Sequence, residues 1–202
     1  MPADGSIAAV VLAAGASRRF GADNKLLARV DGRTLIERVV NALANGGATD
    51  IVVVTGHDRA AVETALSRWP VRFIHNADWE TGMGSSIQAG IAALADNTTG
   101  AFVVPGDMPL LSPQLVASLA DAFVGADGAR IVYPATRSGE QRNPVLWPRR
   151  HFGALLALPP NTGAKALLQL IAAECLAVAV ADDAVLSDVD TPADLAALRA
   201  ES

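Results

Sequence analysis

Cysteine is nearly missing from this sequence: Cys175 is the only one in 202 residues. A single cysteine excludes an internal disulfide and a cysteine-rich metal site, and its apolar surroundings read as core. Lysine is almost as scarce, with only Lys25 and Lys165 among sixteen lysines and arginines. Aromatic residues amount to 4%, and there is no basic excess, the net charge being -5. That balance argues against a broad nucleic-acid-binding face. No apolar run is long enough to cross a bilayer, and the opening M-P-A-D-G carries no basic region or cleavage pattern. The expectation is a cytoplasmic protein with no membrane partner. Familiar motifs are also missing: G-x-S-x-G, the Walker loop, G-x-G-x-x-G, and any zinc-ligand spacing among His57, His75 and His151.

What the chain does have is apolar bulk, 51% of residues, much of it alanine. The length suits one domain over residues 1–202 with a sizeable core. Strand and helix patterns alternate without a linker. Strands are expected at 7–12, 51–55, 71–75, 101–104, 129–134 and 176–180, with a short edge strand at 144–147. Helices are expected at 34–44, opened by the capping box Thr34-x-x-Glu37, and at 58–68, 85–95, 112–123, 148–157 and 163–173, with a last one opened by Thr191-Pro192. Asp31-Gly32 marks a turn. This order predicts an α/β protein of three layers, α/β/α, around a mostly parallel, Rossmann-like sheet. In such sheets ligands sit beyond the carboxyl ends of the strands.

The most informative stretch is Val10 to Leu27, V-V-L-A-A-G-A-S-R-R-F-G-A-D-N-K-L-L. A strand buried on both faces ends at Leu12-Ala13-Ala14-Gly15, where small side chains let a ligand approach the main chain. Main-chain N–H groups of such a loop can hold an anion, with Arg19 and Lys25 on further phosphate oxygens. That is a nucleoside triphosphate site; the plainer alternative is a strand-to-loop connection with solvated arginines.

Three further constellations fall at strand ends. Gly82-Met83-Gly84-Ser85-Ser86 opens a helix with free N–H groups and hydroxyls, either a nucleotide contact or a simple cap. Asp107, in Val104-Pro105-Gly106-Asp107-Met108-Pro109, is a magnesium ligand or a turn residue. Asp190, in Leu186 to Asp194, is a second carboxylate for the same metal, with Asp188 as its rival and Asp194 as a helix-dipole residue. Arg142-Asn143-Pro144-Val145 and Asn161-Thr162-Gly163-Ala164-Lys165 offer donors for a second substrate, or are an exposed turn and a helix cap.

The pattern L-A-A-G-x-S-x-R-F-G-x-x-x-K-L-L, followed by G-D-M-P and D-V-D-T-P-A-D-L, resembles the molybdenum cofactor nucleotidyltransferases, the MobA/MocA-like NTP transferases. The resemblance runs over nearly the whole chain and implies a nucleotide-diphospho-sugar transferase-like fold. It implies transfer of a nucleotidyl group to the phosphate of molybdenum-loaded molybdopterin, with Mg2+ as cofactor and a molybdoenzyme or its chaperone as partner. Arg19 and Lys25 would hold the triphosphate, Asp107 and Asp190 the metal, Gly82, Gly84 and Ser85 the nucleotide, and Asn143, Pro144 and Lys165 the acceptor. The form L-A-A-G goes with CTP where L-A-G-G goes with GTP. Two departures fall on the acceptor side: N-T-G-A-K stands where the family has G-D-x-G-A-R, and Arg142 stands where a glycine usually precedes N-P-V. Guanylyl transfer, transfer to a sugar or polyol phosphate, and a non-catalytic accessory protein that delivers the cofactor are the competing expectations.

Overall fold

An uninterrupted apolar strand, β1 (Ser6–Ala13), forms the axis of the computed structural model, which describes residues 6–21 and 23–200. The reading of M-P-A-D-G lies outside those residues. Val and Ala on both faces of β1 leave no side for water, so the strand pairs in parallel on both edges, with β4 (Asp50–Thr55) and β6 (Thr98–Pro105). Between β1 and β4 come the two-residue strands β2 (Arg29–Val30) and β3 (Arg33–Thr34). They form a tight hairpin whose turn residues Asp31 and Gly32 have φ of 50° and 78°. The full sheet has seven strands in the order β5-β4-β1-β6-β8-β7-β9, with β5 (Arg72–His75), β7 (Ile131–Ala135), β8 (Val145–Pro148) and β9 (Cys175–Ala179).

One strand runs against the rest. β8 lies antiparallel between β6 and β7, and all four of its residues are buried. The expected edge strand is therefore an interior one. The sequence shows a short apolar run flanked by prolines, whereas its two neighbours are fixed only when the chain folds back. The expected helix at 148–157 is shortened for the same reason: Pro148 ends β8, a 3-10 turn spans Arg149–His151, and α5 is only Phe152–Leu156. Likewise 163–173 contracts to α6 (Lys165–Leu170) and 58–68 to α2 (Arg59–Ala65). Cys175 is half-buried at the start of β9, its thiol 3.7 Å from the Ile171 carbonyl.

Alternation along the strands sorts side chains into two cores. Ala9, Val11, Val53, Phe102 and Val104 pack against α1 (Leu35–Asn45), α2 and α4 (Pro113–Gly125). Ala8, Val10, Val52, Val54 and Val103 pack against α3 (Met83–Ala92), α5 and α6. The Thr34–Glu37 capping box opens α1: the Glu37 carboxylate accepts the Thr34 N–H at 2.7 Å, and the Thr34 hydroxyl accepts the Glu37 N–H at 3.3 Å. The last helix, α7 (Pro192–Ala200), closes over the hairpin with Leu195 and Leu198 against Val30 and Leu35. Among the described residues no helix is long and apolar enough to cross a membrane.

Helix α3 lies close on β1 because Gly90 carries no side chain. A Cβ there would overlap the Val10 side chain and stand 3.0 Å from Val54 Cγ2. Gly90→Ala gains about 1 kcal/mol in helix propensity, but pushes into β-branched residues of central strands, and overpacking costs about 1–3 kcal/mol. Net destabilisation is expected, read as a lower urea midpoint at unchanged slope; a raised midpoint would show that α3 has room to move.

Candidate functional site

The register of the parallel strands brings their carboxyl ends out together, with Leu12 beside Val54 and Pro105, and Ala13 beside Thr55. Over this edge lies a cleft of about 410 Å³. Its first wall is the loop after β1: Gly15 to Arg19, Lys25 and Leu26. The loop is held from within, since Asn24 Oδ1 accepts the Leu26 N–H at 3.0 Å and the Ser17 hydroxyl accepts the Lys25 N–H at 3.3 Å. Ser17 takes a left-handed φ of 51° to make that turn.

Lys25 is the centre of the site. Its side chain is 15% exposed, and its ammonium bonds to Asp107 Oδ2 and, at 2.9 Å, to Asp190 Oδ1. Arg19 reaches the other Asp190 oxygen at 2.8 Å from a mostly exposed position. Burial alone would lower the Lys25 pKa, but the two carboxylates outweigh it and hold the ammonium above its ordinary value. Burial pushes the Asp107 carboxyl up, and Lys25 opposes that rise.

Each carboxylate is placed by main chain. The Gly106 N–H donates to the Leu12 carbonyl at 3.0 Å, docking the loop after β6 onto the end of β1. A Cβ at Gly106 would stand 2.7 Å from Ile36 Cδ1, so glycine permits that approach. The Val189 N–H donates to the Asp107 carbonyl at 2.9 Å, bringing the chain before α7 alongside. Asp190 is then fixed by the helix cap that follows it. Asp194 Oδ2 accepts the N–H groups of Asp190 (3.0 Å) and Thr191 (2.8 Å), and the Thr191 hydroxyl accepts the Asp194 N–H. The Thr191 hydroxyl and these N–H groups hold the Asp194 carboxyl below its usual range.

Asp107 Oδ1 is buried with no hydrogen-bond partner. An orphaned carboxylate oxygen beside a second carboxylate suits a hard divalent cation. Among the described residues no three His, Cys, Asp or Glu side chains gather as a metal-ligand set. Two carboxylates completed by phosphate oxygens and water are the usual donors for magnesium, and these residues fit it.

The second wall is the segment from Asn76 into α3, of which Trp79, Glu80, Gly82, Met83 and Ser86 line the cleft. Sequence reasoning singled out Gly82, Gly84 and Ser85 here, and the structure separates them. Gly82 faces the cleft with φ of 129°. Gly84 instead lets the 159–162 main chain pack against α3. Ser85 is buried, its hydroxyl donating to the Gly82 carbonyl at 2.8 Å and its N–H to the Pro160 carbonyl at 3.3 Å. The Ser85 N–H is therefore occupied, and Ser86 is the hydroxyl that lines the cleft. Trp79 and Glu80 had no sequence signal beyond standing in a loop after a strand.

Of the opening residues, Leu12, Ala14 and Gly15 line the cleft, while Ala13 points to the opposite face and into the core. A second cavity of about 190 Å³ shares Leu12, Met83 and Pro105 with the first. Its floor includes Ile87, Val103, Trp147 and Leu168, and its rim includes Arg142, Asn143, Lys165 and Asp188. Asp188 thus parts from Asp190 and faces the second cavity. Pro144 is buried behind Asn143, joined to it by a cis peptide.

A mostly parallel seven-stranded sheet flanked by helices on both faces is the nucleotide-diphospho-sugar transferase-like α/β fold. The chain belongs to the MobA-like NTP transferase family, whose sequence profile matches residues 9–196. The nicotine blue oxidoreductase of Paenarthrobacter nicotinovorans is 39% identical over 113 residues, 56% of this chain and 55% of that protein. The bifunctional protein GlmU of Mycobacterium avium is 30% identical over 146 residues, 68% of this chain and 30% of its own length. The chain thus spans about half of the first relative and less than a third of the second. Among solved structures, the Rv0371c homologue from Mycobacterium sp. strain JC1 superposes with a TM-score of 0.82 at 27% identity, over 96% of both chains. Molybdopterin-guanine dinucleotide biosynthesis protein A from Archaeoglobus fulgidus shares the fold, with a TM-score of 0.70 at 20% identity over 96% of this chain and 97% of that one.

Thr191→Ala removes the cap acceptor beside Asp190 and is expected to cost about 1 kcal/mol in urea unfolding. Manganese titration followed by electron paramagnetic resonance should show weaker binding in the same variant. Unchanged metal affinity would mean that Asp190 is placed without the cap.

Proposed function

We propose that the protein is a magnesium-dependent cytidylyltransferase that moves CMP from CTP to the terminal phosphate of molybdenum-loaded molybdopterin and releases pyrophosphate. The observation that carries this reading is the partly buried Lys25 ammonium between Asp107 and Asp190 in the cleft at the strand ends. A triphosphate offers Lys25 and Arg19 new oxygens in place of the two carboxylates, which are thereby freed to hold Mg2+. The bound metal would supply charge neutralisation at the phosphates. The main chain of residues 15–17 and the Arg19 fork would orient the triphosphate so that its α-phosphorus faces the second cavity. There the acceptor phosphate, with Asn143 and Lys165 on the cavity rim, would stand in line. One of its oxygens forms the new bond to the α-phosphorus, the bond to the β-phosphate oxygen breaks, and pyrophosphate leaves with the electron pair. The acceptor phosphate is already ionised near neutral pH, so no general base is required, and positioning with electrostatic stabilisation does the work.

The name of the nicotine blue oxidoreductase relative supports a second reading, in which the same cleft serves an oxidoreductase. The paired cations and carboxylates favour transfer. Release of pyrophosphate from CTP plus molybdopterin, measured against oxidation of a reduced nicotinamide nucleotide, separates the two.

Asp107→Asn is expected to abolish pyrophosphate release while circular dichroism stays native, because the amide keeps the size but not the charge a hard cation needs. Turnover equal to wild type across a magnesium titration would leave Asp107 as a turn residue only.

Ala14 supports the choice of CTP over GTP. It lines the cleft wall while only 4% exposed, and its methyl group would crowd a purine where glycine would not. A methyl-sized difference discriminates by roughly 10–200-fold in kcat/KM. Ala14→Gly should bring the CTP-to-GTP ratio closer to one; a wild-type ratio favouring GTP would overturn the cytidylyl assignment and leave nucleotidyl transfer standing.

A further inference from the structure

The central sheet ends in two edge strands, β5 and β9, and they are guarded differently. β5 carries Arg72 and His75 among its four residues, with the Arg72 guanidinium on Asp50 and on the Ala93 carbonyl. β9 reads Cys-Leu-Ala-Val-Ala, with no charge and no proline, and its ladder with β7 has no bulge. Open strand edges pair readily with another chain, and folded proteins usually blunt them with such features. β9 has none of them.

Parity along the strand shows which main-chain groups face outward. The Val180 N–H donates to the Ala135 carbonyl at 3.1 Å, so the alternate residues Leu176 and Val178 also turn their N–H and C=O groups to β7. Cys175, Ala177 and Ala179 turn theirs away. Cys175 is already committed, its N–H to the Ala172 carbonyl and its own carbonyl to Arg130 at 2.6 Å. Ala177 and Ala179 are exposed, and their two N–H and two C=O groups have no partner among the described residues. The strand ends also differ in charge. At the start, Glu174 is paired with Arg150 at 2.6 Å, and Arg130, bonded only to the carbonyls of residues 173–175, is surplus positive charge. Past the end, Asp182 and Asp183 accept only main-chain N–H groups and outnumber Arg137, leaving surplus negative charge.

We propose that β9 pairs antiparallel with β9 of a second copy of this chain, joining two sheets across a two-fold axis. The free groups set the register. With Val178 opposite Val178, Ala177 of each copy exchanges both main-chain bonds with Ala179 of the other, and all four free groups of each chain are used. The same register puts Leu176 opposite Val180. The half-buried row Leu176, Val178 and Val180, which packs against the core formed with α1 and α4, then continues as apolar cross-strand pairs. Antiparallel pairing also sets the positive start of each strand against the negative end of the other. The contact is self-complementary and closes at two copies, leaving the guarded β5 edges outermost. It stands independently of the reaction proposed above.

The test is light scattering of size-separated protein over a dilution series. Wild type should show twice the chain mass when concentrated and dissociate on dilution. Added salt should weaken the dimer, because it screens the charges at the strand ends. Ala177→Pro removes an outward N–H at an edge position where proline is tolerated, and should give a monomer at every concentration with native circular dichroism. Cross-linking reads the register without relying on that variant. In a Cys175→Ser background, Val178→Cys would bring two thiols together across the axis, with Cα atoms about 4.5 Å apart and within disulfide reach. Mild oxidation should join the copies there, whereas His75→Cys on the other edge should stay largely monomeric. Wild type at chain mass throughout with no cross-link at 178, or a dimer that persists in natively folded Ala177→Pro, would overturn the pairing. So would cross-linking at 75 equal to that at 178, or open-ended assemblies in place of a dimer.

Discussion

One partly buried ammonium ties together three distant parts of the chain. Lys25 comes from the loop after β1, Asp107 from the loop after β6, and Asp190 from the approach to α7. Neither carboxylate is fully hydrated, and truncating one partner of such a pair leaves a charge partly uncompensated. The main chain is arranged to make this meeting unavoidable. Gly106 bonds to Leu12, Val189 bonds to Asp107, and the Thr191–Asp194 cap holds Asp190. The site is therefore assembled by backbone, and the charges report that assembly.

The same arrangement is chemically poised. Two carboxylates and two cations are balanced among themselves in the free protein, with Asp107 Oδ1 left over. A ligand that brings phosphate oxygens together with a divalent cation can exchange partners with the cluster without leaving a charge bare. The second cavity opens onto the same edge through Leu12, Met83 and Pro105, so two substrates can meet there. Its apolar floor and mixed rim differ from the cationic wall of the first, a division suited to two chemically different ligands.

Local signals carried far in this chain. The capping boxes at Thr34 and Thr191, the Asp31-Gly32 turn and the apolar runs of β1, β4 and β6 depend on neighbours a few residues away. Elements whose pairing is non-local were harder to read. β8 looks like an edge in sequence and is interior in space, because its partners come from segments more than ten residues away. The helices at 152–156 and 165–170 are shorter than their apolar patterns suggest, with 3-10 turns at Arg149–His151 and Ala172–Glu174 taking up flanking residues.

At the site, sequence by itself determined the chemistry of the loop after β1 and the presence of Asp107 and Asp190 at strand and helix ends. These are matters of residue type and spacing, which the chain displays directly. Tertiary structure decided which side chains share a cleft. Ala13, the last residue of β1, turns into the core, while Ala14 just beyond it lines the cleft. The 159–162 loop occupies the start of α3, so Gly84 and Ser85 become packing residues. Trp79, Glu80 and Ser86 enter the cleft, and Asp188 is separated from Asp190, because the paths of loops from distant segments set those positions. Residue identity states what a group can do, but only the folded main chain fixes which other groups it does it with.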